Sequence, residues 1–206
     1  MKSILSRLEG ITWRGPAVDD SELLAELPPD LAELLREVNG FLLHGGALHF
    51  RGASLVPAWH SLRAAIHDAE AFHHLYDLIE PADIPFAQDL FGDQFLLRDG
   101  TVLRLFAETG EIEALSPNLE DFLTHLCDDY AEFLNVQPGN LKPGQLVLAY
   151  PPFCVEESGK DIDQTPLPAR EVIHFHAALA NQLKDVPEGA KIKFNLNEPQ
   201  QSDVGM

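Results

Sequence analysis

The sequence predicts an α/β-type domain of the α+β kind, with helices packed on a sheet of sequence-adjacent strands. Three observations predict it. Residues 95–115 hold apolar segments joined by Asp99-Gly100 and Thr109-Gly110, the pattern of a three-stranded antiparallel meander. Residues 118–134 place Leu119, Phe122, Leu123, Leu126, Tyr130, Phe133 and Leu134 at helical spacing, with Glu120, Asp121, Asp128, Asp129 and Glu132 on the other face. Pro28-Pro29-Asp30 opens a second amphipathic stretch carrying Leu31, Leu34, Leu35 and Val38, and Asn39-Gly40 closes it with residues that tolerate the left-handed C-cap.

The elements follow in order. Ile4, Leu5 and Leu8 predict an opening helix over Lys2–Glu9, before a breaker run from Trp13 to Pro16 in which Trp13 packs inward. A short helix then starts with Asp19, Asp20 or Ser21 as its cap. Phe41–Phe50, apolar but interrupted by glycine, reads as a loop with a short strand near Ala47–Phe50. Leu62, Ala65, Ile66, Ala69, Phe72 and Leu75 form the inner stripe of a helix over Ala58–Leu78, with a cap or kink near Ser61.

In the meander, the two-residue Asp99-Gly100 turn sets the register. Phe95 and Leu97 then share a face with Val102, Arg104 and Phe106, and Leu96 lies with Leu103 and Leu105. Both faces are mostly apolar, so the sheet is covered on both sides. After Val136 the chain predicts turns, a strand over Gln145–Tyr150, an exposed loop over Glu156–Pro168, a helix over Ala169–Lys184 and a strand over Lys191–Asn195. The expected organisation is a domain over 1–135, a strand-helix-strand extension over 136–197 packed on it, and a disordered tail over 198–206. No internal repeat or low-complexity tract stands out.

With 206 residues, 45% apolar and 23% charged, the chain can bury one sizeable core. No apolar run reaches the length of a membrane span, and Met1–Gly10 lacks the apolar stretch of a signal peptide, so the expected location is the cytoplasm. Cys127 and Cys154 are then expected to be reduced and buried.

The net charge is −19, and Asp19–Phe133 holds 23 acids against 5 bases, so the acidity belongs to the body of the fold. Such a field repels nucleic-acid phosphates and anionic membranes and attracts basic proteins. Acidity also serves solubility alone, so charge by itself does not decide between the two.

Candidate sites follow from spacing. Asp89, Asp93 and Asp99 surround Gly92 and Gly100 but miss the calcium-loop spacing, so they are read as turn formers. With Glu108, Glu111 and Glu113 they are expected to cluster at exposed hairpin edges and to form part of a partner-binding surface. His60, His67 and His74 recur every seven residues, with His73 adjacent, yet no metal-binding helix motif such as H-E-x-x-H accompanies them. His174 and His176 point to different faces of a helix. Nucleophile elbow, Walker loop and dinucleotide fingerprint are all absent, and no catalytic residue, metal or cofactor is assigned.

Three segments in order carry a family likeness: the helix Leu27–Val38 closed by Asn39-Gly40-Phe41, the run Ile84-Pro85-Phe86-Ala87-Gln88-Asp89, and Gly92-Asp93-Gln94-Phe95. Together they resemble the SUKH superfamily, which includes the yeast Smi/Knr cell-wall regulator and many bacterial immunity proteins, over roughly residues 1–135. The resemblance implies one central, mostly antiparallel sheet and an action by blocking a partner without chemistry. An immunity protein neutralising a basic toxin, nucleases included, is the first functional expectation, as a monomer or weak homodimer. A Smi/Knr-type intracellular scaffold is the alternative, and a metal-dependent enzyme using the histidine stripe is the third.

Overall fold

Seven strands, β1 (Ile11–Arg14), β2 (Phe41–Leu43), β3 (Leu48–Phe50), β4 (Ile84–Asp89), β5 (Gln94–Arg98), β6 (Thr101–Leu105) and β7 (Ile112–Ser116), form one sheet in chain order. Every neighbouring pair is antiparallel. The computed structural model describes residues 6–155, 161–187 and 189–190.

The Asp99-Gly100 turn takes left-handed φ values of 49° and 85°, as a two-residue hairpin with a right-handed twist requires. It sets the predicted register, with Phe95 opposite Arg104, Leu96 opposite Leu103 and Leu97 opposite Val102.

The sheet is covered on both sides. On one, α1 (Ser21–Glu26), α2 (Pro29–Glu37) and α5 (Leu119–Leu134) send Leu23, Leu31, Leu35, Phe122, Leu123 and Leu126 onto Phe86, Phe95, Leu97 and Val102. On the other, Ala65 of α3 (Leu62–His67), Phe72 of α4 (Phe72–Leu75), Tyr76, and Ala177 and Ala180 of α6 (Ala169–Leu183) pack with Leu96 and Leu105. The extension adds a separate antiparallel pair, β8 (Gln145–Tyr150) with β9 (Asp163–Pro168).

Helix starts follow capping chemistry. The Asp20 carboxylate accepts the Leu23 amide at 3.1 Å, Ser61 Oγ accepts that of Ala64 at 3.1 Å, and Asn118 Oδ1 accepts that of Asp121 at 2.8 Å. Gly40 turns the chain after α2 with φ +75°, where a Cβ would lie 2.3 Å from the His60 ring and 2.5 Å from the Phe50 carbonyl oxygen.

Several expectations are corrected. Residues 11–14, expected to enter a breaker run, form edge strand β1, and Trp13 is half-buried against Trp59 with ring centroids 5.1 Å apart. The first half of Phe41–Phe50 is strand β2, not loop. Its turn packs three successive left-handed residues, His44, Gly45 and Gly46, into a tight reversal, leaving strands of three residues that are too short to show alternation. The single helix over Ala58–Leu78 is a 3-10 turn, α3 and α4, because Ser61 restarts the helix as a cap and Asp68 leaves helical geometry. α5 breaks at Asp129 (φ −158°, ψ 87°), whose carboxylate caps the following turn through the Glu132 amide at 3.1 Å.

Part of the expected Glu156–Pro168 loop is β9, an exposed edge strand whose Pro166 and Pro168 disguised it. Residues 6–10 are turn and irregular chain in place of the opening helix, whose first residues lie outside the described ones, as do the strand expected over Lys191–Asn195 and the tail. Among the described residues no helix is long and apolar enough to cross a membrane.

Candidate protein-binding surface

Where the basic side chains go decides what charge the surface shows. Between Asp19 and Phe133 the bases are Arg36, Arg51, Arg63, Arg98 and Arg104. Arg63 is spent on Asp20 (2.5 Å), Arg98 on the buried Asp83 (2.6 Å) and Arg104 on Asp93 (2.7 Å). Arg51 is buried beneath the second sheet face, hydrogen-bonded to the Pro85 carbonyl and to Gln88 and Gln94. Only Arg36 is left exposed.

The carboxylates divide by face. Glu22 and Glu26 on α1, Asp30, Glu33 and Glu37 on α2, and Glu120, Asp128, Asp129 and Glu132 on α5 are all exposed on the helical layer above one face of the sheet. Arg7 reaches Asp128 there at 2.6 Å. On the opposite layer some exposed acids meet bases: Glu70 binds Arg170 and lies 3.2 Å from His174, and Asp77 lies 3.1 Å from Lys184; Asp68 and Glu171 are exposed there as well. The hydrogen bonds from Arg170 hold the Glu70 carboxyl down to about 2. The α1, α2 and α5 layer is therefore the denser in exposed carboxylates, while the opposite layer is acidic with part of its acids paired.

The six acids singled out from the sequence separate in space. Asp99 is exposed at the β5–β6 turn, and Glu111 and Glu113 are exposed at the other end of β6, beside and on edge strand β7. Asp89, Asp93 and Glu108 are not at exposed edges. Asp89 is 1% exposed and accepts the Phe91 and Asp93 amides at 2.9 and 3.0 Å, and burial next to Asp93 pushes its carboxyl up. Asp93 takes both the Nε and Nη2 of Arg104 on one oxygen and the Ala107 amide on the other.

Glu108 accepts the Phe153 and Cys154 amides at 3.1 and 2.8 Å, tying the extension to the sheet, and burial raises its carboxyl above the usual range. Turn carboxylates fold inward because backbone amides near them otherwise lack acceptors. The acids of α1 and α2 were overlooked, although Glu22/Glu26 and Glu33/Glu37, four residues apart opposite the leucine stripe, mark one helix face.

The heptad histidines do not share a face. His60 is fully buried, while His67 and His74 are exposed on separate helices. His60 joins an interior polar network that the sequence reading missed: His49, Gln88, Gln94 and Arg51, with Asn39 at its end. Its signal was the spacing of His49 and Arg51, which puts two polar side chains on one face of an otherwise apolar strand end. Burial holds His60 down to about 4 and His49 well below its ordinary value.

His174 and His176 diverge as expected, the first half-buried and the second buried. Cys154 is exposed, not buried, because Pro151-Pro152 turns Phe153-Cys154 outward; partial burial of its thiol and the Glu108 charge still push it up to about 12. Cys127 is half-buried and forms no disulfide. Among the described residues no group of three or more His, Cys, Asp or Glu side chains is arranged to hold a metal ion.

A comparison with curated proteins finds no match to the chain. The model of the SMI1 / KNR4 family (SUKH-1) matches residues 20–125. That stretch opens at the Asp20 cap, takes in strands β2 to β7 and ends within α5. A match over half the chain, on the expected antiparallel α+β framework, makes this protein a member of the SMI1 / KNR4 family (SUKH-1), a family of immunity proteins and Smi1/Knr4 regulators.

Proposed function

We propose that the protein is a non-enzymatic binding module that neutralises a basic toxin, nucleases among the candidates, by occupying its cationic surface. The observation that carries this reading is the charge asymmetry: exposed carboxylates gather on the α1, α2 and α5 layer while four of the five arginines between Asp19 and Phe133, all but Arg36, are engaged internally. Carboxylates arranged this way act at long range, steering a cationic partner and raising its association rate at low salt. A basic nucleic-acid groove is the surface such a face complements. Asp99, Glu111 and Glu113 add to the field from the sheet edge.

The test is direct binding between the purified protein and the basic proteins encoded by genes adjacent to its own. The expected result is a one-to-one complex whose affinity falls steeply between low and physiological salt and which suppresses the partner's activity. If none of those proteins associates even at low ionic strength, and deletion of the gene alone alters the cell envelope, the Smi1/Knr4-type regulatory role replaces this one.

A further inference from the structure

Two exposed aliphatic side chains stand at the tip of a loop that the rest of the protein holds rigid. Leu55 is 54% exposed and Val56 67%. The chain beneath them is clamped from several directions. Asn39 Oδ1 accepts the Ala53 amide at 2.7 Å, and Asn39 Nδ2 donates to Ser54 Oγ at 2.8 Å. The Asp19 carboxylate accepts the Leu55 amide at 2.7 Å, and the amides of Asp19 and Asp20 both donate to the Ala53 carbonyl at 3.3 Å. On the far side the His60 amide donates to the Pro57 carbonyl at 3.0 Å. The loop thus directs its polar groups inward and its aliphatic tip outward.

Fold stability gains nothing from two aliphatic side chains left in water, while ordering the loop that carries them costs entropy. A pre-ordered apolar tip is what a protein partner can bury at little further entropic cost. Its surroundings select the partner's charge. Asp19, which grips the loop, and Glu22 on the next helix are exposed, and one nearby cation, Arg63, is engaged by Asp20. We propose that Leu55 and Val56 are the apolar anchor of the interface, inserting into a hydrophobic pocket that basic side chains of a cationic protein partner rim. The inference rests on the binding role proposed above and names the contact that the acidic layer leads to.

The experiment places the photocrosslinker p-benzoylphenylalanine at position 55 in one full-length variant and at position 33, on the acidic face of α2, in another. Captured proteins are identified, purified and titrated against the wild type, the Leu55→Ser/Val56→Ser variant and Leu78→Ser. Leu78 is comparably exposed, at 56%, but lies outside the clamp. The expected result is one basic protein captured at position 55, with affinity reduced about 30-fold by the paired substitution and unchanged by Leu78→Ser, while circular dichroism and tryptophan fluorescence stay as in the wild type. Capture at position 33 alone, with the paired substitution within about twofold of wild type, overturns the anchor and leaves the binding role standing. Absence of any cationic protein at both positions overturns the binding role itself.

Discussion

His49 Nε2 and His60 Nδ1 lie 3.0 Å apart in the protein interior, and the chemistry at either end of the pair orders its protons. His60 Nε2 faces the Asn39 carbonyl oxygen at 2.9 Å, which only accepts, so this nitrogen carries the hydrogen. His60 Nδ1 then accepts from His49 Nε2–H, and His49 Nδ1 accepts from the Gln88 amide at 3.3 Å. Both rings must be neutral for the chain to hold.

Acid should therefore destabilise the protein before its carboxylates are neutralised. An imidazole titrates near 6.5 in the unfolded chain, whereas burial holds His60 down to about 4 in the fold. Below pH 6.5 the unfolded state binds a proton that the native state refuses. The contribution of His60 is thus fully present above pH 6.5 and is lost as the pH drops toward about 4, by roughly 3 kcal/mol. Urea unfolding between pH 8 and pH 4 should show the loss, and His60→Gln should flatten the slope while lowering stability at neutral pH.

Arg104→Ala should be among the most destabilising single changes on the sheet. It leaves Asp93 without its guanidinium partner and strips the fully buried Asp89 of its closest cation, at a cost of roughly 3–5 kcal/mol. Chemical denaturation reads this directly, and Asp89→Asn in the Arg104→Ala background should recover part of it.

Asp20 performs two tasks that substitution separates. Its carboxylate caps α1 and also pairs with Arg63, whose hydrogen bond holds it below the usual carboxylate range. Asp20→Asn keeps the cap acceptor and should cost less than Asp20→Ala, which loses both and should destabilise by about 2 kcal/mol. A Tm series on the two variants decides the order.

Glu108→Ala should loosen the extension locally. With their acceptor gone, the Phe153 and Cys154 amides should exchange with solvent about tenfold faster or more, while the amides of β5 and β6 keep their protection. Equal acceleration throughout the sheet would mean that Glu108 supports the whole fold.

The legible parts of the fold were those where a single local rule decides. Asp99-Gly100 admits one hairpin register, and the stripe from Leu119 to Leu134 admits one helix face, with Asn118 at its start. Rules in competition were not legible. Ala58–Leu78 has a continuous helical stripe, yet Ser61 and Asp68 each offer the backbone a competing side-chain or turn geometry, and the helix splits there.

The surface was legible only as a sum. Composition announced the negative charge, but a carboxylate that grips Arg104 and one that faces solvent look alike in a sequence, so Asp89 and Asp93 were grouped with Asp99. Sorting them requires knowing which arginines fold back onto them, and that is set by pairings distant along the chain, such as Arg63 with Asp20 and Arg98 with Asp83.

Helix α6 lies beyond residues 20–125, yet its Ala177 and Ala180 seal the sheet over Leu96, Leu105 and Tyr76. A shortened chain that stopped after Leu134 would carry that greasy patch bare, and would self-associate or be cleared by the cell's proteases. Anyone trimming the protein to its recognisable half would be studying an adhesive, not a miniature of the original.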